Sequence, residues 1–486
     1  MTEKRLSSRL DEILEIRVLE IRSGLCAPGS KLPSLRQFAA DQRISKSSAV
    51  EVYERLMALE LIEPRGQQGF FVRKLRGDTC QKLPVDEVLS LEAPRHGRRP
   101  SLKYHPSGGW IDAKLLPTEA LRAAMREASR APLADLMSYS DCQGYLPLRN
   151  LLADRLLRSG IKACPNEILM TDSASMAIDL ICRLLLKPGD TVLVDNPTSL
   201  DFEALGRLHA VDVVGVPFCE GQRDLTRLAE LVGRYRPKLY LLASALHNPT
   251  GVSLQTAQAF ELLSILRSAG IYVVEDDVYA DLVEEPTTRL AALSGLKGVA
   301  YVGSFSKTIS GGLRCGFISA QSDVIEKIAA LVLDSSFGMN SLTSIVVFKL
   351  LESGLYRRSL SSLRNSITKM RRETICNLRG VGFDVPIEPE GGIFVWARWM
   401  GAADAALIAR TARKRQVALA IGPSFSPSGE FGQYIRFNCT LVKSAAFWGQ
   451  FREILAEAER LARKVDGWAA CDEIAPKTAI AANGSS

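Results

Sequence analysis

At 486 residues the chain is longer than one hydrophobic core usually supports, so two or three domains are expected. With 47% hydrophobic and 24% charged residues, and no apolar run near the roughly 18 residues of a membrane helix, it reads as globular, neither exported nor membrane-spanning. Ten cysteines without a C-x-x-C pair, beside four histidines, argue against a zinc site and for a reducing cytoplasm, while a net charge of +7, with 14 Lys/Arg against 10 Asp/Glu in residues 1–76, admits phosphate partners for the N-terminal region.

Residues 5–23 place Leu6, Leu10, Ile13, Leu14, Ile16, Val18, Leu19 and Ile21 at helical spacing, and Gly24 stops that helix. After a Pro28-Gly29 turn, Ser34 is the expected N-cap of a helix through Ala40, and Ser45 that of another running to about Leu59. Leu61–Arg65 and Gly69–Val72 read as short strands around Gly66-Gln67-Gln68-Gly69, a hairpin signal. Three helices and a hairpin predict a winged helix-turn-helix over residues 1–74. In that arrangement Ser45, Lys46, Ser47 and Ser48 open the helix that enters the major groove of double-stranded DNA. Arg36 opens the helix before it, and Arg65 with Gly69 marks the wing.

From 75 to 103, Pro84, Pro94, Pro100 and the basic run Arg95-His96-Gly97-Arg98-Arg99 indicate a linker. From 104 to 466, helices alternate with short apolar runs: Glu167–Met170, Thr191–Val194, Lys238–Leu242, Ile271–Val274 and Val299–Val302. This alternation predicts an α/β domain with a largely parallel sheet. A smaller α+β portion is expected from about 336, and residues 467–486 read as a disordered tail.

Residues at the ends of those runs carry chemistry. Lys307, beside Ser304 and Ser306, offers an amine that can form a Schiff base with an aldehyde cofactor. A ring nitrogen that must stay protonated needs a carboxylate, and Asp276 follows an apolar strand directly, where α/β sites form. Tyr279 and Asn248 are placed to reach the ring oxygen. The turn Thr171-Asp172-Ser173-Ala174-Ser175, ahead of a helix from Met176 to Leu186, offers Ser173, Ala174 and Ser175 to a phosphate, with Arg314 as the cation. Arg436, in Tyr434–Asn438, is placed to grip a ligand carboxylate bidentately.

Pro28-Gly29, Leu32-Pro33-Ser34-Leu35-Arg36, Ser45-Lys46-Ser47-Ser48, Tyr53 and Gly69-Phe70-Phe71-Val72 together resemble the GntR family of winged-helix regulators. Over about residues 105–465, Tyr139–Arg149, the phosphate turn, His247-Asn248-Pro249-Thr250-Gly251, Asp276-Asp277-Val278-Tyr279, Ser304–Lys307, Gly391-Gly392 and Arg436 resemble the fold-type I aminotransferases. The fusion of the two looks like the MocR-type regulators. The resemblance implies pyridoxal 5′-phosphate on Lys307, an amine or amino-acid effector held by Arg436, and a homodimer in which Tyr139 reaches the partner subunit's cofactor phosphate.

Two positions depart from the aminotransferase pattern. Ser199 stands where an aromatic usually covers the cofactor ring, and Ser173 where glycine is common. A lost stacking face is expected to cost about 1 kcal/mol of cofactor binding unless Leu200 or Phe202 replaces it. The alternative function is an active aminotransferase acting on an amino acid and a 2-oxo acid, since Lys307, Asp276 and Arg436 are also what transamination requires.

Overall fold

The computed structural model describes residues 29–42, 44–59, 61–65, 69–73, 102–198, 206–219, 221–283 and 286–472, with positions 10, 13, 14 and 17 of the first helix. The chain divides into two compact units, Met1–Ser90 and Leu91–Ser486. The stretch expected as a linker, up to residue 101, and the tail beyond residue 472 lie outside the described residues, as do Ser199, Leu200 and Phe202.

In the first unit, Leu10, Ile13 and Leu14 are helical and buried, the i, i+3, i+4 face that the spacing called for. Helix α1 is Leu35–Gln42 and helix α2 is Lys46–Ala58. Strands β1 (Ile62–Pro64) and β2 (Phe70–Val72) pair antiparallel with Glu63 opposite Phe71. Both expected caps form: Ser45 Oγ accepts from Ser48 N at 3.0 Å, and Ser34 Oγ from Gln37 N at 3.3 Å. The segment after the Pro-Gly turn does more than turn. Gly29 N donates to Val72 O at 2.9 Å, Val72 N to Ser30 O at 3.0 Å and Leu32 N to Phe70 O at 2.8 Å, so this segment lies along β2 as a further edge. Tyr53 explains the motif that follows. Its hydroxyl donates to Pro33 O at 2.8 Å, and its ring meets Phe38 and Phe70 edge-on at 5.1 and 5.0 Å. Phe38, Val52, Leu56, Ile62 and Val72 complete that core.

In the second unit, strands β3 (Ile168–Thr171), β4 (Thr191–Asn196), β5 (Asp212–Cys219), β6 (Gln222–Arg223), β7 (Leu239–Leu242), β8 (Tyr272–Asp276), β9 (Val299–Ser304) and β10 (Gly316–Ser319) form one mixed sheet. Their order is β3-β10-β9-β8-β7-β4-β5-β6. Strands β5, β4, β7, β8 and β9 are mutually parallel, whereas β10 runs antiparallel to both β3 and β9. The start of β10 therefore lies at the edge where the parallel strands end. Helices α3 (Thr118–Ala128), α4 (Leu133–Met137), α5 (Leu146–Arg158), α6 (Ala174–Leu185), α7 (Leu225–Tyr235), α8 (Thr256–Ser268), α9 (Leu290–Ser294), α10 (Ser322–Ser336) and α11 (Ser341–Glu352) accompany it. Alternate residues feed two cores: Leu193, Tyr240 and Val273 join one, Val192, Val194, Leu241 and Val274 the other. Burial on both faces is why these strands read as continuous apolar runs.

Helix α12 (Leu355–Gly380) leads to a second, antiparallel sheet of β11 (Phe383–Asp384), β12 (Phe394–Trp399), β13 (Ala420–Ile421) and β14 (Tyr434–Asn438) in the order β11-β12-β14-β13. Helices α13 (Ala405–Lys414) and α14 (Ala445–Asp472) cover it through Ile408, Phe447, Phe451 and Ile454. Two boundaries differ from expectation. Ile345, Val346 and Val347 of α11, with Tyr356, Leu360, Leu363 and Ile367 of α12, belong to the large-sheet core, so the small subdomain's own core begins with Ile375 rather than near residue 336. Helix α14 also continues to Asp472, past the expected boundary at 466.

Candidate functional site

The site is assembled by strand register. Asp276, closing β8, lies opposite Val302 of β9, and Gly316, opening β10, lies opposite both Ser304 and Thr171. The Lys307 turn, the Asp276 turn, the turn before α6 and Arg314 are thereby brought to one sheet edge. Lys307 Nζ donates to Gly109 O at 2.6 Å and lies 5.7 Å from the Tyr279 ring centroid. Tyr279 is buried and meets Phe394 edge-on at 5.8 Å. Ser304 Oγ is engaged locally, donating to Cys315 O at 3.2 Å and lying 3.1 Å from Ser306 Oγ, which shapes the turn that carries Lys307.

Asp276 accepts from Val278 N at 3.2 Å, and the acids on either side of it are committed elsewhere. Glu275 accepts from Leu290 N at 2.7 Å and Ala291 N at 2.8 Å, the first amides of α9, while burial pushes its carboxyl up to about 7. Asp277 accepts from Arg289 Nε at 2.5 Å and from the Tyr301 hydroxyl at 3.0 Å.

Ser173 is the N-cap of α6, its Oγ accepting from Met176 N at 3.0 Å. The first amides of α6, those of Ala174 and Ser175 among them, have no partner within the helix and suit an anion. A Cβ added at Gly316 would come within 2.7 Å of Ser173 C and 2.9 Å of Ala174 N, so only glycine lets β10 pass this close to the cradle. Arg314 is exposed with φ 54°, two residues before that strand. A lysine amine, a carboxylate at a strand end and a helix N-terminus beside an arginine are the donor set that pyridoxal 5′-phosphate requires, and the residues present fit it.

Arg436, on β14, is buried. It donates to Asn248 Oδ1 at 2.8 Å and Ser107 O at 2.7 Å, and its Cζ lies 4.1 and 4.9 Å from the ring centroids of Phe394 and Phe425. The Asn248 turn rests on a buried cluster that the sequence reading missed. Asp195 accepts from Arg223 through two bonds of 2.8 Å and from the Tyr240 hydroxyl at 2.6 Å, with His247 Nε2 at 3.4 Å. Burial alone would raise the Asp195 carboxyl, but Arg223 and His247 hold it at about 2. Burial lowers His247, so the neutral ring donates from Nε2 and accepts at Nδ1 from Thr250 Oγ1 at 2.9 Å.

The segment Ser107–Trp110 was also missed. Its carbonyls receive Lys307, Arg436 and both Asn438 Nδ2 bonds, the latter to Gly108 O and Trp110 O at 2.7 Å. Backbone acceptors leave no side-chain signature; only the Gly108-Gly109 pair hints at close packing. Tyr139 lies apart from these groups in the single chain. It is 90% exposed, its ring 6.4 Å from that of Phe337, and Leu133 and Met137 of the preceding helix α4 are exposed as well.

In the first unit, Arg36, Lys46 and Ser47 are exposed and Ser48 is half-buried. Ser45 serves the helix cap, bonding also to the Ser47 and Ser48 hydroxyls at 2.8 Å. Arg65 pairs with Glu63 at 2.8 Å and lies 4.8 Å from the Phe71 ring centroid. Gly69 takes φ 102°, a conformation that favours glycine, and its carbonyl accepts from Arg65 N at 2.9 Å.

The aminotransferase class I and II profile matches residues 111–443, and that of the bacterial regulatory proteins, gntR family, matches residues 13–72. The chain is 27% identical over 448 residues to the uncharacterised HTH-type transcriptional regulator YdcR of Escherichia coli, spanning 89% of this chain and 94% of that one. It is 30% identical over 398 residues to the 2-aminoadipate transaminase of Thermus thermophilus, 80% of this chain and 94% of that one. The crystal structure of LysN, the alpha-aminoadipate aminotransferase of Thermus thermophilus complexed with N-(5′-phosphopyridoxyl)-L-leucine, is similar with TM-score 0.64 and 27% identity, over 76% of this chain and 93% of that one.

Proposed function

The chain belongs to the aminotransferase class I and II family, with a GntR-family head in front in the manner of the MocR-type regulators, and from that premise we propose that it is a DNA-binding transcriptional regulator that reads an amino acid or amine through pyridoxal 5′-phosphate. The observation that carries this reading is the presence, on one chain, of an exposed recognition-helix start at Lys46 and a Lys307 site whose surroundings fit that cofactor.

The bound cofactor supplies an aldehyde that condenses with amines and a ring that takes up electron density. Toward it, Lys307 provides the amine and Asp276 keeps the ring nitrogen protonated. Tyr279 and Asn248 donate to the ring oxygen. Ser173, the Ala174 and Ser175 amides, Ser304, Ser306 and Arg314 surround the phosphate side. Arg436 holds the effector's carboxylate, exchanging its bond to Asn248 or Ser107 for one to the ligand. Regulation then requires that the effector-bound state differ in DNA affinity, because a ligand shifts only equilibria it binds unequally.

Arg36, Lys46, Ser47, Ser48 and Arg65 contact DNA in this reading, Ser45 and Gly69 shaping the elements that present them. A second copy of the chain covers the Tyr139, Phe337, Leu133 and Met137 patch, bringing Tyr139 to the partner's cofactor phosphate and two heads to two half-sites. Such a regulator works in the cytoplasm. Among the described residues no helix is long and apolar enough to cross a membrane.

The test is binding of the full-length protein to its own promoter DNA at stated salt, with and without cofactor and a panel of amino acids. DNA affinity that is lost in Lys46→Ala and Arg36→Ala and altered by one effector supports the reading. Affinity indifferent to every ligand overturns it. The second reading, a transaminase, rests on the 30% identity to the 2-aminoadipate transaminase of Thermus thermophilus. Turnover of an amino donor with a 2-oxo acid at roughly 1 to 1,000 per second would establish it.

A further inference from the structure

The Lys307 turn and the Tyr279 turn are joined beneath the site by one buried hydroxyl. Tyr356 on α12, 2% exposed, donates to Asp281 Oδ2 at 2.5 Å and lies 2.6 Å from Thr308 Oγ1, the residue after Lys307. Tyr356 has a single hydroxyl proton and donates it to Asp281, so Thr308 donates in turn to the Tyr356 oxygen. The proton order is thereby set. Burial, with Asp281 adding to it, raises the Tyr356 hydroxyl well above its ordinary value, so it stays a donor at neutral pH. Asp281 is itself held by Arg155 Nη2 at 2.7 Å, and its backbone carbonyl accepts from Arg364 Nε of α12 at 2.8 Å.

Helix α12 carries this junction away from the site. Tyr356, Leu360, Leu363 and Ile367 pack in the large-sheet core, whereas Ile375 and Leu378 pack in the small-sheet core, and Arg371 donates to Gly392 O at 3.2 Å.

We propose that Tyr356 is a positioning residue for Lys307, acting through Thr308 to hold the lysine turn in register with the Tyr279–Asp281 turn and linking both to the helix that leads into the small subdomain. The inference rests on the cofactor reading of Lys307. Tyr356 touches no ligand in this role; it fixes the loop that does.

The experiment uses the full chain, measuring pyridoxal 5′-phosphate affinity and the visible circular dichroism of the bound cofactor, with thermal unfolding of the cofactor-free protein as the control for folding. Tyr356→Phe and Thr308→Val should each weaken cofactor binding about tenfold and change the dichroic band. Their combination should be no worse than the stronger single change, and Thr308→Ser, which keeps the hydroxyl, should match wild type. Wild-type affinity and dichroism in Tyr356→Phe and Thr308→Val overturn the inference alone, as do losses that add independently in the double variant or that follow lowered stability of the cofactor-free form. A wild type that takes up no cofactor overturns the cofactor reading and this inference with it.

Discussion

Arg436 Nη1 donates to Asn248 Oδ1 across 2.8 Å, joining the small sheet to the turn that follows β7. The residue assigned to a ligand carboxylate is thus in direct contact with the one assigned to the cofactor ring oxygen, and a ligand that engages the first must adjust the second. The Ser107 carbonyl on the other guanidinium nitrogen extends that adjustment to the start of the second unit.

Replacing Arg436 should separate effector from cofactor binding. Arg436→Ala is expected to lower affinity for a carboxylate-bearing effector by roughly 10- to 100-fold, the loss of a charge-assisted bidentate bond. Cofactor absorbance should remain. Calorimetric titration of the loaded protein decides it, and an undiminished affinity would remove Arg436 from the effector site.

Lys307→Ala should bind pyridoxal phosphate without the covalent link and lose the absorbance band of the wild-type protein. Spectra of the purified proteins after cofactor addition and desalting provide the check. A variant that retains the wild-type band would move the attachment to another lysine.

Gly316→Ala puts a methyl carbon within 3 Å of Ser173 and Ala174 backbone atoms, which must move. Overpacking of this kind costs typically ~1–3 kcal/mol. The loss should appear as weaker binding of the cofactor and of phosphate-bearing analogues, with pyridoxal lacking the phosphate much less affected. Equal weakening of both would refute the phosphate cradle.

Glu275 supplies a pH signature. Burial raises its carboxyl from an ordinary 4.5 to about 7, so the folded state keeps a proton that the unfolded chain releases. Its stability contribution is complete below pH 4.5 and is lost as pH rises through about 7, on the order of 3 kcal/mol across the window. Denaturant unfolding of Glu275→Gln should show a shallower decline over that window than wild type. Parallel curves would mean that Glu275 is ionised throughout.

In the head, Lys46 and Ser45 should fail in different ways. Lys46→Ala is expected to weaken binding to all DNA sequences and to reduce the salt slope by about 1. Ser45→Ala removes a cap worth about 0.5–2 kcal/mol, so it should lower the head's thermal stability while the salt slope stays as it was. Fluorescence anisotropy at several salt concentrations distinguishes the two.

Strands β3, β4, β7, β8 and β9 were legible because both faces are buried and their residues form unbroken apolar runs. Strand β10 escaped because Gly316 and Ser319 bracket only two apolar residues, Phe317 and Ile318, yet it is the strand that returns Arg314 to the site edge. Strand β5 escaped because Gly215 and Pro217 interrupt a partly exposed run. The Asp195 cluster was illegible for another reason: Asp195, Arg223, Tyr240 and His247 are separated along the chain, and only burial forces them together.

The sequence by itself determined what is local: the caps at Ser34 and Ser45, the hairpin, the alternation of the large sheet, and the residue types that a DNA head and an aldehyde cofactor demand. Caps, turns and periodicities act between residues a few positions apart, so they can be read along the chain. Only the tertiary structure decided which groups meet. It set Lys307 against Gly109, Arg436 against Asn248 and Ser107, and Tyr356 between Thr308 and Asp281. These pairings follow from strand register and from burial, which leaves each polar group only the partners that packing brings within reach.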